Sequence, residues 1–145
     1  MFGLCWQWIE ATADGDLKVA QCGLELTHLT RDGLQGDPSE PGYRPRAVLS
    51  GTLYVEPRFR RQGMAQRMLR EAEGQARWWG CDELLLMVQA KNKPAQTLYK
   101  KMGYVMHPQT KYHGTEICMT RKLFAPNLHT LLSVAPQHNK VDSRK

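Results

Sequence analysis

Several features are scarce or missing in this chain of 145 residues. Its four cysteines, Cys5, Cys22, Cys81 and Cys118, are dispersed and form no C-x-x-C pair. That spacing argues against a zinc site and against a disulfide framework, and makes reduced thiols in a reducing compartment the default. No apolar run is long enough to span a bilayer. The first residues carry Glu10, Asp14 and Asp16 with no basic stretch ahead of an apolar one, so neither a signal nor a transit peptide is expected. The 12 glycines never fall into G-x-x-x-x-G-K-[S/T] or G-x-G-x-x-G, which excludes the Walker and dinucleotide phosphate loops. No basic stripe is interleaved with aromatics, so nucleic-acid binding has no motif behind it. No internal repeat is visible.

What remains is an ordinary globular composition, 41% hydrophobic and 23% charged, with a net charge of +6. The length suits one domain with a real core. The positive charge has two readings, an anionic partner or simple solubility. Residues 4–11, "LCWQWIEA", and 17–26, "LKVAQCGLEL", read as two strands of a hairpin joined through "DGD". Residues 30–45 are crowded with Gly, Pro, Asp and Ser and read as a loop. Residues 47–57, "AVLSGTLYVEP", read as a strand ended by Pro57. From Gly63 to Trp79, Met64, Ala65, Met68, Leu69, Ala72 and Ala76 recur at helical spacing, with Arg67, Arg70, Glu71 and Arg77 mostly on the other side and Gly80 as the stop. "ELLLMVQA" (83–90) suits a strand buried on both faces. Asn92 suits the cap of a second helix that carries Pro94 in its first turn and ends near Met102 and Gly103. "YVMH" and "EICMTRKL" read as two further strands. The alternation of strand and helix through the middle of the chain implies an α/β layer. The expected organisation is one domain over residues 1–123 and a basic, mostly flexible tail over 124–145, of which 128–134 is apolar enough to pack on the body.

The tightest knot of positive charge, "RFRRQGMAQRML" (58–69), stands where a strand hands over to a helix. The first N–H groups of a helix lack internal acceptors, and its dipole adds partial positive charge there, so such a junction suits a phosphate. Gly63 lets the backbone approach an anion, and Arg60 and Arg61 add charge-assisted hydrogen bonds. Arg67 and Arg70 read as solvated helix surface.

The pattern R-x-x-G-x-A of Arg60, Gly63 and Ala65, followed by "NKPAQTLYKKMGY" (92–104), resembles the GCN5-related N-acetyltransferase (GNAT) family. The first segment is similar to that family's pyrophosphate motif, Q/R-x-x-G-x-G/A. The second is similar to its N-x-x-A-x-x-L-Y-x-x-x-G-F/Y motif, carried here by Asn92, Ala95, Leu98, Tyr99, Gly103 and Tyr104. The likeness covers roughly residues 46–123, and the wording of 60–88 is especially similar to plastid and cyanobacterial-type members.

This resemblance implies an α/β (α+β) acyl-CoA N-acyltransferase fold with a mixed central sheet that splays between two strands. It implies acetyl-CoA as cosubstrate and an amine as acceptor, with no metal. It implies that Leu53, Tyr54 and Val55 bind the pantetheine arm and that Arg60, Arg61, Gln62, Gly63, Met64, Ala65 and Gln66 wrap the pyrophosphate. Asn92 would reach the pantetheine region, and Tyr99 would protonate the leaving thiolate. A phenol, with a pKa near ~10, stays protonated at neutral pH and so suits that role. The bland alternatives are a core aromatic for Tyr99 and a helix cap for Asn92.

Two departures from the family pattern bear on the acceptor. The positions that often hold a carboxylate base are Met87 and Leu49 here. A lysine amine near ~10.4 needs help to lose its proton, whereas an α-amine near ~7.7–8.0 is already partly neutral. The vacancy therefore leans toward a protein N-terminus or a small amine, with lysine kept open and with Glu56 and His107 as bases through water. The residues before Arg46 read as a hairpin plus a loop where the family usually has a strand and two helices that form one wall of its acceptor cleft, so that wall is missing, replaced or lost to truncation. A non-catalytic acyl-CoA-binding module is the competing reading. No nucleic-acid or membrane partner is expected, and the compartment is cytoplasmic, or the plastid stroma in a photosynthetic eukaryote.

Overall fold

The structure is a computed structural model that describes residues 6–28, 36–107, 114–123 and 140–142. Strands β1 (Trp6–Ala13) and β2 (Leu17–Thr27) form the expected antiparallel hairpin, with Gly15 at a positive φ of 74° in its turn. Strand β3 (Arg46–Val55) lies antiparallel to β2. A short 3-10 turn (Pro57–Phe59) leads into helix α1 (Met64–Trp78), then β4 (Glu83–Gln89), helix α2 (Lys93–Lys101), β5 (Val105–His107) and β6 (Glu116–Lys122). The sequence expectation that 108–114 is polar and irregular falls mostly outside the described residues.

A seventh strand, β7 (Lys140–Asp142), lies within the residues read as the tail. Lys140, Val141 and Asp142 pair in parallel with Glu10, Ala11 and Thr12. An edge strand presents unpaired N–H and C=O groups, and a short stretch of extended chain satisfies them whatever its composition. The expected packing of 128–134 lies outside the described residues.

The seven strands run in the order β5-β6-β4-β3-β2-β1-β7. Both helices lie on one face. Their apolar stripes (Met64, Met68, Leu69, Ala72 and Ala76 from α1, Tyr99 from α2) share one core with Ile9, Ala11, Cys22, Leu24, Leu49, Leu84, Leu86 and Met119 of the sheet. A separate, smaller cluster of Val48, Leu85 and Cys118, with Met87 beside it, marks the opposite face.

The parallel pair β3 and β4 holds at Ala47, Val48 and Leu49 against Leu84, Leu85 and Leu86, and then parts. Beyond that point β3 stays with β2 as far as Val55 opposite Ala20, and β4 stays with β6 as far as Gln89 opposite Glu116. The mixed sheet thus splays between its two central strands, as expected. The cause is visible in the register. Gln21 pairs with Tyr54 and Gly23 with Ser50, so residues 51, 52 and 53 of β3 face the single residue Cys22 of β2. Surplus residues in one strand of a pair bend that strand and raise its twist.

Candidate coenzyme site

Where β3 parts from β4, the chain turns twice through the left-handed region. Arg61 has φ 63° and Gly63 has φ 78°. For a residue other than glycine this region costs energy, so its use at Arg61 marks a locally imposed geometry. Gly63 is the N-cap of α1, and no side chain caps that helix. The first helical hydrogen bond is Arg67 N–H to the Gly63 carbonyl, 3.1 Å. The N–H groups of Met64, Ala65 and Gln66 therefore lack intrahelical acceptors and point out of the helix N-terminus. A Cβ built on Gly63 would meet nothing within 4 Å, so glycine is needed there for its backbone angle and leaves open space in front of the amides.

These groups form one wall of a groove of about 680 Å³, within the size range of ligand pockets. Of the residues the sequence assigns to the coenzyme, Leu53, Tyr54, Val55, Arg60, Arg61, Gly63, Met64, Ala65 and Gln66 line it together. The facing wall is α2, through Pro94, Ala95, Thr97, Leu98 and Lys101. Sequence reasoning passes over this wall as a lining. Its signal is the i, i+3, i+4, i+7 spacing of 94, 97, 98 and 101, which gathers them on one helix face.

Individual side chains are held in place. Arg60 Nε donates to the Val55 carbonyl at 2.8 Å, which fixes the guanidinium across the turn that leaves β3. Gln62 is turned back, donating through Nε2 to the Arg58 carbonyl at 3.2 Å, and does not line the groove. Lys101 adds a third cation to Arg60 and Arg61 along the lining.

Two assigned residues stand outside the open groove. Asn92 caps α2, its Oδ1 accepting from the Ala95 N–H at 3.2 Å. Tyr99 is 8% exposed and belongs to the helix-side core. Burial raises its phenol above the ordinary value, and the neighbouring Cys22 thiol pushes the same way. Cys22 is the residue that faces the surplus stretch 51–53, and it shares the helix-side core with Tyr99. Burial also pushes the Cys22 thiol up to about 12.

The positions vacant of a base keep that character. Leu49 is buried in the helix-side core and Met87 packs on the opposite cluster. Glu56 accepts from the Tyr54 hydroxyl at 3.2 Å and pairs with Arg58 at 3.5 Å. His107 Nε2 lies 2.8 Å from Thr120 Oγ1. Neither Glu56 nor His107 lines the groove.

One buried carboxylate was not anticipated. Glu73 of α1 is 2% exposed. It accepts from Arg121 Nη1 at 2.8 and 2.9 Å and from the Tyr104 hydroxyl at 3.0 Å, with Arg77 at 3.9 Å. Burial and the Glu73 carboxylate together raise the Tyr104 phenol well above its usual range. Tyr104 in turn donates its backbone N–H to the Tyr99 carbonyl at 3.0 Å and packs its ring 5.9 Å from that of Tyr99. Helix α1 is thus fastened to β6 and to the end of α2. Periodicity could have found Glu73, since it sits beside Leu69, Ala72 and Ala76 on the inward stripe.

Among the described residues no group of three or more His, Cys, Asp or Glu side chains is placed to hold a metal, and no helix is long and apolar enough to cross a membrane.

Known proteins resemble this chain in sequence and in fold. The model of the acetyltransferase (GNAT) family matches residues 35–104. The chain is 29% identical over 105 residues to N-alpha-acetyltransferase 30 of Saccharomyces cerevisiae, covering 63% of this chain and 59% of the yeast protein. It is 40% identical over 73 residues to the uncharacterized N-acetyltransferase YdgE of Bacillus subtilis, covering 50% of this chain and 45% of that one. It therefore spans between about half and three-fifths of the length of these curated relatives. Among solved structures, the PaiA N-acetyltransferase of Thermoplasma acidophilum in complex with coenzyme A superposes with a TM-score of 0.54 at 20% identity, covering 74% of this chain and 55% of that one. A putative acetyltransferase of Agrobacterium tumefaciens does so with a TM-score of 0.58 at 16% identity, covering 83% and 77%. The fold is that of the GNAT acyltransferases.

Proposed function

Starting from the family match and the shared fold, we infer that this chain is a GNAT-family N-acetyltransferase that moves an acetyl group from acetyl-CoA to a primary amine. The observation that carries the reading is the convergence of Arg60, Arg61 and the uncapped N-terminus of α1 on one groove at the point where β3 and β4 part. The groove fits coenzyme A on its own chemistry. Free N–H groups, the helix dipole and two arginines suit a pyrophosphate. The bent end of β3, with Leu53 and Val55, offers an apolar strand edge for the pantetheine arm. Lys101 lies along the α2 wall for further negative charge.

Bound acetyl-CoA supplies an already activated thioester, so a covalent enzyme intermediate is unnecessary. The chain's own task is orientation, which can supply much of a rate enhancement. Backbone N–H groups of the splayed part of β3, no longer shared with β4, are placed to polarise the acyl carbonyl. Tyr99 holds its proton at neutral pH and is the candidate to give it to the departing thiolate. Asn92 is assigned the pantetheine region through the start of α2, a role compatible with its cap.

No carboxylate stands at either usual base position, which favours an acceptor that is already partly neutral, a protein N-terminus or a small amine, over lysine. The likeness to plastid and cyanobacterial-type members, and with it a stromal or cytoplasmic location, belongs to the same reading.

The test is calorimetric titration with acetyl-CoA, coenzyme A and dephospho-coenzyme A, followed by thiol release in the presence of amine-bearing peptides. Binding with turnover is the expected result. Binding without turnover on any amine would instead support the non-catalytic module, and absence of binding would overturn both.

A further inference from the structure

Gln96 of α2 is 4% exposed and does not line the groove. Its Nε2 donates to two backbone carbonyls at the end of β4, Gln89 at 3.1 Å and Ala90 at 2.9 Å. A carbonyl can only accept, so the atom that faces these two must donate. An amide NH2 carries two donors, and among uncharged side chains of this length only glutamine supplies such a pair.

The position of the carbonyls gives the contact its meaning. Ala90 donates its N–H to the Thr115 carbonyl at 2.8 Å, on the β6 side of β4. In an antiparallel pair, residues that exchange hydrogen bonds across it alternate with residues whose groups point to the other edge. The groups of Gln89 therefore point to the edge that β3 has left. Continuing the register of Leu49 against Leu86, residue 52 of β3 would stand opposite Gln89. In a sheet that stayed closed, β3 would supply the donor for that carbonyl. Here α2 supplies it twice, through Gln96 Nε2 and through the Asn92 N–H at 2.9 Å. A buried acceptor stripped of its donors is costly, so the open edge of β4 depends on this replacement.

Gln96 also stands behind a wall of the groove. Pro94, Ala95, Thr97, Leu98 and Lys101 line the groove from α2. At 3.6 residues per turn, Gln96 falls on the side of the helix turned away from them. Its chain neighbours Ala95 and Thr97 are part of the lining, so a shift of the anchor shifts the wall.

We propose that Gln96 is a positioning residue of the coenzyme groove: it latches α2 to the open edge of β4 and so holds the groove at the width that acetyl-CoA needs. The surplus residues of β3 open the sheet from one side, and Gln96 keeps it open from the other. The proposal rests on the acetyl-transfer reading and adds a residue to it.

The experiment uses the full chain as wild type, Gln96→Met and Gln96→Glu. Methionine keeps the length and loses both donors. Glutamate keeps the shape; ionised, it turns oxygens onto the two carbonyls, and protonated, it donates once. Burial and the facing carbonyls raise such a carboxyl above its ordinary ~4.3, so lowering the pH toward about 5.5 restores a donor. Calorimetry reads acetyl-CoA affinity at about pH 8 and about pH 5.5, denaturant midpoints read stability, and amide exchange of the ligand-free chain reads the latch. Gln96→Met should bind acetyl-CoA about tenfold more weakly than wild type at both pH values. Gln96→Glu should be at least as weak at the higher pH, and its gap to wild type at the same pH should narrow to about threefold at the lower one. In the ligand-free chain, amides of residues 92–98 should exchange about tenfold faster in Gln96→Met, with those of 17–27 unchanged. A merely structural role would lower the denaturant midpoint and leave the affinities and the gap unmoved, and that result would overturn the proposal. Equal exchange at 92–98 would overturn it too. Should Gln96→Met fail to fold, the pH-dependent gap of Gln96→Glu decides alone. Failure of wild type to bind acetyl-CoA would sink the acetyl-transfer reading instead, and the exchange comparison would still decide whether Gln96 holds α2 to β4.

Discussion

Tyr99 illustrates how one side chain can satisfy two descriptions. It is a core aromatic by burial, and it is also the proposed proton donor to the departing thiolate. Replacement by Phe keeps the packing and removes the proton. It should lower kcat by about a hundredfold, within the usual range for a lost general acid, and leave the calorimetric affinity for acetyl-CoA within error. Because burial raises this phenol's pKa, no Tyr99-dependent fall in kcat should appear as pH is raised up to about 10, the ordinary phenol value. Stability should behave differently. The Cys22 thiol titrates near 9.0 when unfolded and is pushed up to about 12 by burial. Between those values the unfolded chain has released a proton that the folded chain retains, so stability falls as pH rises. The phenols of Tyr99 and Tyr104 act in the same direction from a higher starting point. Thermal melts should therefore show Tm level below pH 9 and declining above it, and a Tm that holds through pH 11 would contradict the burial of these groups.

At the level of elements, the junctions decide most. The start of α1 needs Gly63 for its left-handed backbone and has no side-chain cap to compensate. Gly63→Ala should cost roughly 1–2 kcal/mol of stability, the usual strain of an L-residue there, and should weaken acetyl-CoA binding about tenfold by tilting the amides. Denaturant midpoints and titration read the two effects separately. The start of α2 is the opposite case, since Asn92 caps it. Asn92→Ala should cost about 1 kcal/mol, as lost caps do, whereas Asn92→Ser should keep most of that stability. Any loss of coenzyme affinity that remains in the Ser variant belongs to the amide group rather than to the cap. Both junctions were legible in the sequence, because glycine and asparagine at helix starts carry their reason with them. The left-handed Arg61 was not legible, since nothing in an arginine announces a positive φ. Strand β7 was not legible either. Three residues ask only for an open edge, and which edge is free is a property of the finished sheet.

For the molecule as a whole, the Glu73 cluster is the long-range tie. It joins the helix that starts at the groove to the strand beside β4 and, through Tyr104, to the end of α2. Removing one partner of a buried pair leaves an uncompensated charge, so Glu73→Ala should destabilise by about 3–5 kcal/mol, seen as a shift of the denaturant midpoint. Arg121→Ala, which strands the same carboxylate, should fall in that range and add little to the Glu73 variant when the two are combined. The general plan of the molecule could be read from its pattern of strands and helices and from two motifs in order. The inward carboxylate was legible only as a position on the inward stripe of α1, because its partners Arg121 and Tyr104 lie far from it in sequence. Last, the opening between β3 and β4 is written as a length rather than as a set of side chains. Residues 51–53 are surplus against Cys22, and deleting two of them would bring the two strands back into step. The chain would then have every incentive to zip its two half-sheets shut. On the proposed reading, coenzyme binding depends on that surplus length, and it should tolerate many exchanges of residue along the stretch but no shortening of it.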